Sequence, residues 1–426
     1  MTSRLVPLLL VVLAAPAAAQ LTSADRQHAV AAVWSEARYN FAWWDRVRSD
    51  WDSALHAALP QATTRQSDAR FLRSLRRLTA LLGDAQTSVT APALAPRLGR
   101  VPLELRGVAG RALVMDYVEN DEMRIVRPER LAEVVAVQGV PADQWIRDSV
   151  LPEIGAANAE HRWRLAVAAM LDGERHSAVH VQIRLPDGTV RGASLTRSIA
   201  GDARWPFAPP PLEVERRRDG VVVVRLNNLA DASVVDRFDR ALPTFDGVRG
   251  LVLDLRENAG GDSENGYQIL ARLIERPFVT VARRTPVHRP AHISASDGDA
   301  LLGWTVAPPD TVMPREDRPC YGGRIAVLVS GRTAGAAEDF VVAVRNAGRG
   351  PSIGDPTAGA AGRRITLPLP RGWLFHVTVT RHAFPDGTEF VGTGIAPELV
   401  APETVADLQA GRDAALERAL EYLRVR

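Results

Sequence analysis

The apolar run Ile325-Ala326-Val327-Leu328-Val329 leads into the segment GRTAGAAEDF at 331–340, and a helix-like run follows from Glu338 to Arg345. A strand that feeds a tight turn and then a helix N-terminus is a favoured seat for a nucleophile. The residue at this turn is Gly335, where a serine would be expected, so the turn brings no hydroxyl. A second loop, after the apolar strand of VRGLVLDLRENAGG, ends in Gly260 and Gly261. If the two strands are parallel, both loops lie outside the carboxyl ends of an open sheet, where ligands bind. The bare N–H groups of the glycines and the first turn of the helix after Thr333 could then face a developing alkoxide as an oxyanion hole. The plainer reading is two loops with ordinary turn glycines.

Few other groups offer nucleophilic or acid–base chemistry. Ser330 ends its strand and reads as a turn residue, Thr333 as a helix cap, and Ser263, with Asp262 in GGDSENG, as another cap. His376 and His382 fall in a strand-like stretch near the site, and His288 and His292 in an irregular segment. No pair among the 9 histidines has metal-ligand spacing with a carboxylate, so no metal or other cofactor is expected. Asp254 is a charge inside an apolar strand and needs a partner. Arg256, two positions on and so on the same strand face, is the candidate. All 52 Lys+Arg residues are arginines. Mechanisms that need a lysine base or Schiff base are therefore excluded.

The elements that must position these residues follow from hydrophobic periodicity. Residues 20–98 carry apolar residues at helical spacing, in HAVAAVWSEARYNFAWWDRV and RFLRSLRRLTALLGD, with Trp43, Trp44 and Trp51 read as core. Residues 99–200 alternate as strands around one helix, AEHRWRLAVAAMLDG, and form a compact β-rich module. A Pro-rich stretch, 201–216, reads as a linker. From 217 to 426, near-continuous apolar strands alternate with helices, which predicts a largely parallel sheet covered on both faces. Within it, 284–322 reads as one long irregular segment, and 404–426 as one amphipathic helix capped at Thr404 and Asp407.

Composition bounds the partners. Hydrophobic content of 46% and charged content of 24% are those of an ordinary globular protein. A formal net charge of +2 over 426 residues gives no reason to expect nucleic acid or an anionic membrane as partner. The first residues, MTSRLVPLLLVVLAAPAAAQ, read as a secretory leader cleaved after Ala19, with a secreted or periplasmic product. No later segment reads as a membrane span. The single cysteine, Cys320, has no internal disulfide partner.

In order, the chain contains LLGDAQTSV, EVVAVQGVPADQW, LVLDLRENAGG, VLVSGRTAGAAEDF, SIGDPTAG and FPDGTEFVGTGIAPELV. With D-L-R-x-N-x-G-G followed by T-x-x-A-A-E and G-D/E-x-T-x-G, it resembles the tail-specific, or C-terminal-processing, serine proteases and their tricorn-core and retinoid-binding relatives. The resemblance covers most of the chain after the leader. It implies an α/β multidomain protein: an N-terminal helical region at 20–98, a PDZ-like module at 99–200, and an α/β protease core at 217–426 with a ClpP/crotonase-like sheet. In the family the PDZ-type module handles peptide C-termini or gates the active site.

The same resemblance implies what is missing. The family places its serine third in T-x-S-A-A/G-E, and Gly335 stands there. One branch takes a lysine base from G-E-x-T-x-G-K-G, where this chain has Ala360, and a later glutamine of that branch falls at Arg364. The tricorn-like branch takes a histidine from D-x-H-T, and Asp84-Ala85-Gln86-Thr87 puts Gln86 in that slot. A glutamate of that branch lies close to the final G-x-G-I/V-x-P-D/E, and Glu389 is nearby. The implied site is an oxyanion hole from the backbone of Gly260, Gly261 and Ala336, supported by Asp254, Arg256, Asn258, Thr333 and Glu338. It lacks its nucleophile, and a glutamine cannot replace the base near neutral pH. The expectation is a non-catalytic relative that binds peptide or unfolded protein tails. The alternatives are an active endopeptidase working through Ser330 or Thr333, and a carrier of a small apolar ligand.

Overall fold

The computed structural model describes residues 20–288, 302–316 and 320–424, so residues 1–19, where a leader is expected, and His292 lie outside the described residues. Three helices open the chain. Ser23–Asn40 starts at a Thr22/Asp25 capping box, Trp51–Thr63 at Asp50, and Asp68–Ala80 at Ser67. In Asp68–Ala80 the stripe Phe71, Leu72, Leu75 and Leu78 is buried against the core, as a 3.6-residue period requires. Trp43 and Trp51 are buried in the same cluster, and Trp44 packs against it half-buried. The helix stops at Gly83, whose φ of +66° ends it in the left-handed region, and the chain enters Asp84-Ala85-Gln86-Thr87.

The stretch 99–200 folds around its own apolar cluster, which includes Val114, Val134, Val181 and Ile146. Its antiparallel sheet runs, edge to edge, Leu103–Val108, Arg111–Tyr117, Glu133–Val137, Ala178–Arg184 and Val190–Thr196. The helix Ala159–Ala169 packs on the edge strand Leu103–Val108, so closely that a Cβ on Gly107 would sit 3.3 Å from the Trp163 ring. The ends of the stretch meet, Ile199 pairing with Arg100.

The second half is built on a mixed sheet in the order Leu212–Arg216, Val221–Leu226, Gly250–Asp254, Ile325–Val329, Ser352–Gly354 and Leu399–Val400. The first pair is antiparallel and every other pair parallel. Alternate side chains serve two cores. Val222, Val224, Leu251, Leu253 and Val327 face the helices Ser263–Leu270 and Ala336–Asn346, while Val223, Val252, Ala326 and Leu328 face the last helix, Ala414–Arg424. Both faces are covered, so the central strands are apolar throughout.

Three expectations need correction. Leu212–Arg216 belongs to the sheet as its edge strand and is not linker, because its residues pair in register with Val222–Leu226. The segment 284–322 is not irregular throughout: Ala282–His288 and Leu302–Ala307 form a hairpin, and Ala282–His288 also pairs with Arg381–Ala383. The final helix is broken at Gly411, φ +65°, into Val405–Gln409 and Ala414–Arg424.

Candidate functional site

Strands Gly250–Asp254 and Ile325–Val329 are parallel neighbours, Asp254 opposite Leu328, so the loops that follow them leave the same sheet edge side by side. Hydrogen bonds lace these loops together. The Thr333 hydroxyl donates to the Leu255 carbonyl at 2.9 Å and accepts the Ser330 N–H at 3.0 Å. The Ser330 hydroxyl donates to the Arg256 carbonyl at 2.7 Å. The Ala334 N–H donates to the Asn258 carbonyl at 3.0 Å, and the Asn258 amide donates to the Leu226 carbonyl at 2.8 Å. Thr333 is therefore a tie between loops; the residue at the helix N-cap is Gly335. Ser330 is buried with its proton engaged and does not line the cleft that holds Gly335. Asp254 and Arg256 make the expected pair, at 2.9 and 2.7 Å, and Asp413 shares the guanidinium.

Gly335 sits at φ +58°, ψ −124°. A residue with a Cβ is strained there, and that sharp strand-to-helix turn is what exposes a nucleophile. The space a side chain would use is open: the nearest atoms to an added Cβ are Gly260 Cα at 3.6 Å, the Ala259 carbonyl at 3.7 Å and Gln86 Nε2 at 3.7 Å. The backbone thus keeps the shape of a nucleophile turn without the nucleophile.

Gln86 is held by a buried polar knot. Thr87 and Thr378 both donate to Asp84, at 2.6 and 2.5 Å, and the Thr378 N–H donates to the Thr87 hydroxyl at 3.1 Å. From there Gln86 Nε2 donates to the Ala360 carbonyl. The N–H of Ala360 donates to Glu338 at 2.9 Å. Glu338 is fully buried and also accepts from Gly335 N–H at 3.1 Å, Gly359 N–H at 2.7 Å and the Thr357 hydroxyl at 2.6 Å. Burial pushes its carboxyl up to about 7, against the pull of the Thr357, Ala360 and Gly359 bonds, and neighbouring Asp339 adds to the rise.

The expected oxyanion donors separate. The N–H of Gly260 is already bonded to the Asn258 side chain at 2.9 Å, so it is not free to face a ligand. Those of Gly261 and Ala336 have no acceptor among the described residues. Both glycines are required by close approach: a Cβ on Gly260 would lie 3.1 Å from the Ala334 carbonyl, and one on Gly261 only 2.2 Å from Ala230 N. Glu389 does not line the cleft. It accepts from Arg46 at 2.6 Å and from Arg284, with Arg381 3.7 Å away, inside a stack in which Arg46 and Arg381 lie over Trp43 and Arg381 and Arg284 over Trp304. His376 is also elsewhere, bonded to Thr90 and Thr366 across its sheet.

The site includes a side chain the sequence reading passed over. Asp339, buried one helical turn after Gly335, accepts from the Ser263 hydroxyl at 2.6 Å and pairs with His382 Nδ1 at 2.9 Å. The available signal was an acid within AAEDFVVAV, a helix otherwise buried along its apolar length. All of these residues line one cleft of about 1120 Å³, which runs on between the edge strand Leu103–Val108 and the helix Ala159–Ala169. Among the described residues no group of His, Cys, Asp or Glu could hold a metal ion, and no helix is long and apolar enough to cross a membrane.

Residues 220–401 match peptidase family S41. The chloroplastic C-terminal processing peptidase of Tetradesmus obliquus is 27% identical over 268 residues, covering 58% of this chain and 53% of that one. The carboxyl-terminal-processing protease of Picosynechococcus sp. is 26% identical over 304 residues, covering 70% and 65%. The chain spans between 36% and 65% of the length of such curated relatives. Among solved structures, mature CPAF in complex with lactacystin superimposes with a TM-score of 0.72 at 16% identity, over 94% of this chain and 97% of that one. The photosystem II D1 C-terminal processing protease gives 0.52 at 20% identity, over 93% and 99%. At these identities the structural likeness speaks for the fold.

Proposed function

The chain belongs to peptidase family S41, and from that descent we propose that it binds the tails of peptides or unfolded proteins without forming an acyl-enzyme at Gly335. The observation that carries this reading is the turn itself. Its strained backbone and its open side-chain volume are kept, but no hydroxyl fills them, and Gln86, which cannot take a proton near neutral pH, stands beside them.

The cleft supplies what binding needs. An extended peptide can add to the exposed edge of Leu103–Val108 beneath the helix Ala159–Ala169, as PDZ-type modules bind their ligands, and continue toward Gly335. Arg363 and Arg364 are exposed on the cleft wall without a carboxylate partner among the described residues, and suit a terminal carboxylate. Export through the leader at 1–19 would place this binding in the periplasm or outside the cell.

A working peptidase is the second reading. It would have to act through Ser263, the hydroxyl that the Asp339–His382 pair places on the cleft. The test is binding of fluorescent free-carboxyl peptides to the purified chain, with cleavage followed in the same samples. Saturable binding without turnover supports the proposal. Cleavage abolished by Ser263→Ala establishes the second reading instead.

A further inference from the structure

Beyond the vacant turn, the cleft wall carries a cross-strand pair, each member of which leaves one buried polar atom without a partner among the described residues. Arg283 of Ala282–His288 stands directly opposite His382 of Arg381–Ala383. Residues so paired project on the same face, with Cβ atoms about 5 Å apart. Both line the cleft beside Asp339 and Ser263. Arg283 Nε and His382 Nε2 are each buried and have no hydrogen-bond partner among the described residues.

Such atoms are uncommon in folded proteins, because a buried donor or acceptor that has lost water pays for it unless something replaces the water. Other polar atoms of both side chains have partners. His382, only 9% exposed, has its Nδ1 on Asp339, and the other carboxylate oxygen of Asp339 is taken by Ser263. The guanidinium of Arg283 reaches Asp310 by its Nη2. What remains is a donor, the Nε–H of Arg283, and, on its cross-strand partner, the second ring nitrogen of His382. In the neutral ring that donates from Nδ1 to Asp339, this nitrogen is an acceptor. Arg283 is the movable member, its side chain being 41% exposed and that of Asp310 65% exposed.

We propose that Arg283 and His382 form a side-chain subsite of the peptide cleft, selective for an uncharged residue that both donates and accepts, a hydroxyl or carboxamide side chain. The ligand oxygen would accept from Arg283 Nε–H, and the hydroxyl or amide hydrogen of the ligand would go to His382 Nε2. Aliphatic side chains would leave both atoms unpaired, and a carboxylate would offer His382 no hydrogen. This rests on the peptide-binding reading above.

The experiment is a positional scan of free-carboxyl decapeptides against the full chain, with Ser, Thr, Asn, Gln, Val, Leu, Asp and Glu at each position. At one position the hydroxyl and amide residues should bind about tenfold or more tighter than Val or Glu. Arg283→Met should remove that preference while the Val peptide binds as before. His382→Phe, checked for folding by circular dichroism, should do the same. Peptide binding with no such preference, or a preference that survives both substitutions, overturns the subsite and leaves the tail-binding reading standing. Absence of binding by every peptide in the scan overturns both.

Discussion

Gln86 Nε2 lies 3.7 Å from where a Cβ on Gly335 would stand, yet its hydrogen bond goes past that position to the carbonyl of Ala360. A base in this place would face the hydroxyl it activates. Here an amide spans an empty volume and ties the helical region to the loop around Ala360. The two positions, Gly335 and Gln86, therefore occupy one place in the fold although 249 residues separate them in sequence (335 less 86).

Restoring the serine should cost stability. At φ +58° the turn suits glycine, and a side chain there is strained even though the space is open. Gly335→Ser is expected to lower the unfolding free energy by about 1–2 kcal/mol. Urea denaturation measures this, and an unchanged midpoint would show that the turn carries no such strain.

Glu338 gives stability a pH dependence of definite sign. Its folded carboxyl is raised to about 7 from an ordinary value of 4.5, so its contribution is full below about pH 4.5 and is lost as pH rises through about 7. The drop attributable to this group is roughly 3 kcal/mol. Urea midpoints at pH 5 and pH 7.5 should differ less in Glu338→Gln than in the natural chain. An equal difference in both would mean that Glu338 is ionised across the range.

Glu389 belongs to the arginine–tryptophan stack and not to the cleft. Glu389→Gln should destabilise by about 1–2 kcal/mol through weakened bonds to Arg46 and Arg284. Peptide affinity, measured by fluorescence anisotropy well below the unfolding transition, should not change. A selective loss of affinity would return this residue to the site.

Arg363 and Arg364 should recognise the end of the tail. The double substitution to alanine is expected to weaken a free-carboxyl peptide roughly fivefold, or ~1 kcal/mol, as for an exposed charge pair. The amidated peptide should bind both proteins alike. Equal weakening of both peptides would assign the arginines to general packing.

The reading of the sequence reached the frame of the site and missed its interior. Strands apolar along their whole length announced the covered parallel sheet, and a lone acid in one of them announced the Asp254–Arg256 pair, because both follow from burial alone. Gly260 and Gly261 were read as oxyanion donors or ordinary turn glycines, and the close backbone approach that requires them is visible only in the fold. Spacing could not show that Asn258 occupies the N–H of Gly260, which is a choice among local hydrogen bonds. Nor could it join Asp339 to His382 and Ser263, since those contacts depend on where the hairpin after Ala282 lays its partner strand. The hairpin itself was hidden by its Arg and Pro content, which reads as irregular. Glu389 was placed by motif proximity, and the surrounding arginines decided otherwise.

The central claim is that this cleft kept its scaffold and lost its attacking group. The most direct measurement is turnover of a denatured protein substrate by the natural chain, by Gly335→Ser, and by Gly335→Ser with Gln86→His. The account predicts no cleavage by the natural chain and cleavage by the double variant. Cleavage by the natural chain at a rate that Ser263→Ala removes would contradict it, and would place the nucleophile on the neighbouring helix.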